Sequence, residues 1–421
     1  MLRRSLRALL VPALSGTFLI ACGGSQPKVA ANPESDESTS SGRDPANPPP
    51  PPKVKRAAVE AFKEGVAAYR AGRLSDAESS LKEAADEDEK FSVATFNLGA
   101  LAESQGKLDE AKELYKKVAS RDPHDADGLV NLAVLAAEEG RQGEADAGYQ
   151  QAIQVEPLNG YAHLNLAMAS KNRKDFADAV KRVRTALKED SQNVDAYVVL
   201  AWTYYDMGRL ELAKLVCFQA LTISDKSPAV HNLLGLVQMR MSDVTKAMAS
   251  FQKAVEADPK YVPALVNIGA LAFSYKDYET SYRSFDQASK SEPKDLEIML
   301  SKGVAARGMG NLEEAEKLYR AVIAADEKFA RAWYDLGVLQ QEFQQKLADA
   351  QKSFENVLRY EQGNPDLRKD ASERIKQAQI QQQNQKEAEE MMKQQAEADK
   401  KAAAEKPATP PSAPASESPT P

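Results

Sequence analysis

Small and bulky apolar residues recur along this chain at a fixed interval. Gly65, Gly99, Ala133, Ala167, Ala201, Gly235, Gly269, Gly303 and Gly337 stand 34 residues apart. Twelve residues after each comes a second small residue: Ala77, Ala111, Ala145, Ala179, Ala213, Ala247, Ser281 and Ala315, with the ninth displaced by one to Ala350. Four further on lies a bulky one: Leu81, Tyr115, Tyr149, Val183, Cys217, Phe251, Phe285, Tyr319 and, after the shift, Phe354. Ala84, Val118, Ala152, Ala186, Ala220, Ala254, Ala288 and Val322 mark a third repeating position, and Pro123, Pro157, Pro259 and Pro293 close the period. A small residue followed one turn later by a large one on the same face predicts helices that cross closely at the small residue. Beyond the last period, Asn364 in capping position and Pro365 in the first turn predict a further helix. Leu367, Ala371, Ile375 and Ala378 form its thin apolar stripe.

This 34-residue period resembles the tetratricopeptide repeat. The resemblance spans residues 58–364 and implies an all-α fold: a right-handed α-solenoid of about nine helical hairpins, each stacking on the next to cover its apolar face. Residues 365–406 then read as a capping helix running into a Gln/Glu/Lys-rich helix, and residues 407–421 as a disordered tail. The first unit departs from the rest, with Glu64 where others have Leu98, Leu132 or Leu166 and Glu89 where others have proline. Both departures suit a terminal, half-solvated unit.

The chain opens differently. Arg3, Arg4 and Arg7 precede an apolar run of about fourteen residues from Ala8 to Ala21. That run falls short of the roughly 20 residues a spanning helix needs, so residues 1–21 read as an export signal. Leu19-Ile20-Ala21-Cys22 resembles the bacterial lipobox, which implies that Cys22 becomes the mature amino end and carries covalent lipid. Residues 22–57, rich in Ser, Pro, Asn and Asp and ending in a proline run at Pro48–Pro52, show no apolar periodicity and read as a disordered tether.

Charge excludes one class of partner. The formal net charge is −7, and −10 once Arg3, Arg4 and Arg7 leave with the signal, which gives no electrostatic reason to hold nucleic acid. Candidate chemistry dissolves into the repeat. Gly99 to Lys107 has six residues between its glycines where a phosphate loop has four. Asp122 to Gly128 places Pro123 and Val134 where a calcium loop needs acidic ligands. His163 and His231 share a repeat position two units apart, too far to share an ion, and read as packing residues. Cys217 fills the bulky core position. No metal, no cofactor beyond lipid on Cys22 and no enzymatic activity is expected.

Function is expected in the groove that the resemblance assigns to the first helix of each unit. The ninth residue of every unit is apolar: Val66, Ala100, Val134, Met168, Trp202, Leu236, Ala270, Val304 and Val338. With the fifth and twelfth positions added, the partner-binding residues are Phe62, Phe96, Val130, Leu164, Met168, Val198, Trp202, Tyr205, Met239 and Phe273. Two readings stand: a tight superhelix buries this stripe, or the stripe lines a groove for an amphipathic helix or extended apolar segment of another protein. The lysine–asparagine pattern by which some relatives clamp a terminal carboxylate is missing. Signal, lipid, tether and array together point to a scaffold or assembly factor of a bacterial envelope machine, anchored in the outer membrane and facing the periplasm. In whole-chain character it resembles the lipoproteins of myxobacterial gliding motility. A pilus–secretin pilotin, an accessory factor of outer-membrane protein insertion and a cell-wall-processing accessory are the alternatives.

Overall fold

In the computed structural model the described residues are 54–121 and 126–404. They contain 19 α-helices, one π-helical segment and no strand. Cys22, residues 22–53 of the tether, Pro123 and the tail lie outside them, while the expected tether ends earlier than residue 57: Val54 packs on the core, the Lys55 amide donates to the Asp88 carboxylate at 2.8 Å and the first helix begins at Arg56.

The chain divides into two compact units at Asn267 and Ile268. The first unit carries α1 (Arg56–Arg70), α2 (Leu74–Glu87), α3 (Ser92–Ser104), α4 (Leu108–Arg121), α5 (Asp127–Glu138), α6 (Gln142–Val155), α7 (Gly160–Asn172) and α8 (Phe176–Glu189). It continues with α9 (Val194–Asp206), α10 (Leu210–Ile223), α11 (Pro228–Arg240) and α12 (Val244–Ala257). The division falls inside α13 (Val262–Ser274). The second unit carries α14 (Tyr278–Ser291), α15 (Leu296–Gly308), α16 (Leu312–Ala325), α17 (Ala330–Val338), the π segment Leu339–Phe343, α18 (Leu347–Tyr360) and α19 (Pro365–Ala404). Odd and even helices pair into hairpins, and within the first unit the odd helices α7, α9 and α11 also touch one another. This is the α-solenoid repeat fold that the spacing predicts.

Each sequence mark has a structural cause. The second small residues, Ala77 through Ala350, are all completely buried, the displaced ninth included. The first small residue faces the bulky residue of its own hairpin, and the two sizes compensate. A Cβ on Gly99 would meet the Tyr115 ring at 2.7 Å, and one on Gly235 the Phe251 ring at 2.5 Å. Where the first position is Ala167 or Ala201, the partner position is Val183 or Cys217. The third unit keeps both Ala133 and Tyr149, and there Gly148 makes the room: a Cβ on it would stand 2.9 Å from that of Ala133. Close packing leaves no slack for two large groups at one crossing.

The turn inside each hairpin needs one left-handed residue. Glycine serves at Gly72, Gly106, Gly140, Gly208 and Gly310, while Lys174, Ser242, Lys276 and Gln345 adopt the same positive φ. Helix starts are fixed by side chains: the carbonyl oxygens of Asn159 and Asn193 accept from the amides of Ala162 and Ala196, and the carboxylates of Asp243 and Asp277 from those of Lys246 and Thr280.

The one-residue displacement of the last unit is absorbed locally. After α17 the helix widens into the π segment, and the Lys346 amide reaches the Gln340 carbonyl at 2.8 Å. An extra residue between Gly337 and Ala350 is thereby looped out without disturbing either crossing. After α18, the Asn364 side chain accepts from the Leu367 amide at 3.1 Å, and α19 lays Ala371 and Ala378 into the last hairpin. The rest of this 40-residue helix runs on with its side chains largely exposed.

Candidate functional site

The structure divides the ten groove candidates into two groups. Phe62, Phe96, Val130, Leu164 and Val198, the fifth-position residues, are buried in the core of the first unit. Phe62 packs edge-on against Phe91 at 5.3 Å, and Phe96 meets Tyr115 at 5.6 Å. These five therefore line no open groove. All five share the fifth repeat position, and the packing around that position closes it off from solvent. Met168, Trp202, Tyr205 and Met239 are instead half-buried on α7, α9 and α11. Phe273 is half-buried too, and packs edge-on against Tyr278 at 5.3 Å within the second unit.

The first group of half-buried residues forms a wall because α9 touches both α7 and α11. Trp202 stands edge-on to Tyr205 at 5.3 Å. The Arg240 guanidinium lies 4.7 Å from the Tyr205 ring centre and donates to the Tyr205 carbonyl at 2.7 Å. From the neighbouring helix, Lys171 pairs with Asp206 at 3.0 Å. The polar ends of α7, α9 and α11 are thus tied to one another along one edge, leaving the apolar faces of Met168 and Trp202 beside them.

Burial shifts several groups on these helices. Burial pushes the Tyr205 phenol above its ordinary pKa. Asp195 at the start of α9 reaches solvent, yet the surrounding helices thin the water around its carboxyl and raise its pKa. Glu138 on α5 is raised first by desolvation and then by the like charge of Glu103 on α3. Apolar residues in the fourth to sixth repeats are therefore preceded by an acidic stretch in the second and third.

The two histidines have a shared structural task. Nε2 of His163 bonds the Pro157 carbonyl at 2.9 Å, and Nε2 of His231 the Asp225 carbonyl at 2.8 Å. Since a carbonyl only accepts, Nε2 carries the proton in both rings. At the same repeat position Tyr197 donates to the Ser191 carbonyl and Trp333 to the Glu327 carbonyl, each again six residues back. A ring with a polar tip here ties its helix to the preceding turn. Cys217 is buried, and burial pushes its thiol up to about 12, so it stays protonated and inert. Gly99 and Gly106, the glycines of the apparent phosphate loop, are a helix crossing and a hairpin turn. Among the described residues no three His, Cys, Asp or Glu side chains gather as a metal set, and no helix is long and apolar enough to cross a membrane. The calcium-loop residues Asp122 to Asp125 and the lipidation residue Cys22 lie outside the described residues.

Sequence reasoning missed the charged residues that tie the wall. Lys171, Asp206 and Arg240 carry a legible signal, since each falls at the twelfth or thirteenth residue of its unit, beside the aromatic positions.

Comparison with known proteins agrees with this geometry. Family models described as tetratricopeptide repeat match residues 172–237, residues 62–126, 96–150, 271–328 and 300–340, and residues 228–261. Tetratricopeptide repeat protein 8 of Caenorhabditis elegans is 28% identical over 152 residues, covering 34% of this chain and 29% of that protein. Superkiller protein 3 of Schizosaccharomyces pombe is 24% identical over 161 residues, covering 37% of this chain and 12% of that protein. The chain thus spans less than a third of the length of these curated relatives. Among solved structures, a human IFIT1 dimer with m7Gppp-AAAA superposes with a TM-score of 0.52 at 17% identity, covering 79% of this chain and 84% of that one. The anaphase-promoting Cut9–Hcn1 assembly gives 0.50 at 13% identity, with 78% of each chain covered. At such identities the likeness concerns the fold.

Proposed function

Because this chain is a tetratricopeptide-repeat protein, we propose that it is an adaptor whose first-helix wall in repeats four to six receives an apolar segment of another protein. The observation that carries this reading is that Met168, Trp202, Tyr205 and Met239 are only partly buried on touching first helices, whose ends are tied by Lys171–Asp206 and Arg240–Tyr205. Trp and Tyr are enriched among the residues that carry most of an interface's energy. The acidic stretch of Glu103 and Glu138 favours a partner that is basic beyond its apolar part.

We place this adaptor in a bacterial envelope, tethered by lipid on Cys22 to the outer membrane and serving a motility machine of the gliding type. Support for the anchor is the basic start, the short apolar run and the Leu19-Ile20-Ala21-Cys22 tetrad. The assignment to gliding rests on whole-chain resemblance, and its partners are other envelope proteins.

Two experiments test the parts separately. Trp202→Ala with Tyr205→Ala should abolish co-purification of envelope partners while the chain remains folded; retention of the same partners sinks the groove. Cys22→Ser should release the chain into the aqueous phase of a detergent partition, and its persistence in the detergent phase would count against the lipid.

A further inference from the structure

Among the described second helices, α10 of the fifth repeat carries a stripe of exposed large apolar residues, where α2 and α4 expose one leucine each, Leu74 and Leu108. On α10, Leu212, Leu215 and Phe218 are 39%, 63% and 47% exposed. Their spacing of three residues sets them in one stripe over about two turns of helix. In the other eight second helices the equivalent positions hold charged, polar or alanine residues; one period earlier they are Asp178, Lys181 and Arg184. Lys181, Arg184 and Lys188 are all exposed on α8, so the apolar stripe has a basic border on that side. An apolar patch confined to one repeat serves neither the core nor the stacking of hairpins.

The second exposed apolar feature lies near the other end of the chain. Beyond Ala378 the helix α19 carries Met391 and Met392 at 65% and 72% exposure. With Ala388 they form a stripe spaced by three and four residues, as one helical face requires. Glu387, Glu389 and Glu390 border it, with Lys386 and Lys393 at its two ends, so the border is acidic on balance. Flexible methionine side chains adapt readily to an irregular apolar surface.

We propose that the α19 methionine stripe of one copy docks on the α10 stripe of a second copy, with the glutamates against Lys181 and Arg184. Both surfaces are apolar in the middle, opposite in charge at the border and similar in length, which is what selects this occupant. The contact joins two different patches, so it either closes reciprocally in a dimer or propagates along a row of copies. One helix on another buries less than the about 800 Å² per partner of a standard interface, so the association is weak and concentration-dependent.

Sedimentation of the purified full-length chain over a concentration series tests this. Self-association is expected, weakened about tenfold or more by Leu215→Glu and equally by Met391→Glu with Met392→Glu. Because all three side chains are exposed, the melting temperature should not move. Lys181→Glu with Arg184→Glu, and separately Glu389→Lys with Glu390→Lys, should each weaken association, and mixing the two charge-reversed chains should restore it. A chain that stays monomeric throughout, or that associates regardless of these variants, overturns the proposal. So does loss of binding to phosphatidylglycerol-containing vesicles on Leu215→Glu in a monomeric chain, which would make the patch a lipid contact. None of these results bears on the groove, whose residues lie on other helices.

Discussion

The first helices of the fourth to sixth repeats and those of the last two repeats present the same positions to opposite effect. In α7, α9 and α11 the ninth and twelfth positions hold Met168, Trp202, Tyr205 and Met239, half-buried and bordered by the Lys171–Asp206 ion pair and by Arg240. In the second unit, Arg307 takes the twelfth position of α15 and pairs with Asp335 of α17 at 3.2 Å, both largely shielded from water. One repeat on, Arg374 of α19 reaches Glu342 at 2.8 Å and Asp370 at 3.1 Å, and its guanidinium lies 5.6 Å from the Tyr334 ring centre. The closing repeats thus spend their inner face on charge networks that seat the final helix, whereas the middle repeats leave theirs apolar and partly wet. Repeat position sets where a side chain points; whether it binds or braces depends on the neighbouring helix.

That contrast makes its largest prediction in the second unit. Arg307→Met should cost about 3–5 kcal/mol, because it strands Asp335 as a shielded, uncompensated charge. Thermal unfolding measures it, and a loss below about 1 kcal/mol would mean that the pair is as wet as a surface one. In the first unit, Gly235→Ala should cost about 1–3 kcal/mol, since the added Cβ would stand 2.5 Å from the Phe251 ring. The paired change Gly235→Ala with Phe251→Val copies the fourth repeat and should recover part of that loss.

Trp202→Ala with Tyr205→Ala separates anchor from brace within the apolar wall. Fully buried aromatics lose about 3–5 kcal/mol on truncation, and half-buried ones should lose less than half of that each, so the melting temperature falls modestly while partner capture vanishes. A drop as steep as that of Arg307→Met would return these rings to the core and erase the contrast.

The pH dependence is smaller and its sign is fixed. Burial holds the His163 imidazole below its ordinary value, so the folded chain binds that proton less readily than the unfolded one. Its contribution is intact above the unfolded pKa of about 6.5 and is lost as pH falls through the lower folded value. Denaturant midpoints compared between about pH 7.5 and about pH 5.5 should fall, and His163→Gln should flatten that part of the curve. The smallest effect expected is a gain: Lys276→Gly, at a positive φ that glycine adopts freely, should stabilise by up to about 1 kcal/mol.

The hairpins were legible because a 34-residue period repeated nine times averages away local ambiguity. Ala179 and Ala350 could be placed at crossings from spacing alone, and both are fully buried. The burial of the groove candidates was less legible than the hairpins. Phe62 and Trp202 are both large apolar residues on a first helix, and spacing separates them only as a fifth and a ninth position; that Phe62 is buried and Trp202 half-buried is decided by the packing around them. His163 and Trp333 share a repeat position and a bond to the carbonyl six residues back, a regularity that becomes visible once the turn conformation is known.

Sequence by itself determined the helix count per repeat, the crossing positions, the inert setting of Cys217 and the extra residue of the last unit, because each of these depends on contacts within one hairpin and recurs in register. Tertiary structure alone decided which apolar positions stay wet, where the extra residue is looped out as a π turn, and which charges find partners across repeats. Those outcomes depend on the exact offset of one hairpin against the next, a distance of a few ångströms that separates a core contact from a binding surface and leaves no trace in periodicity.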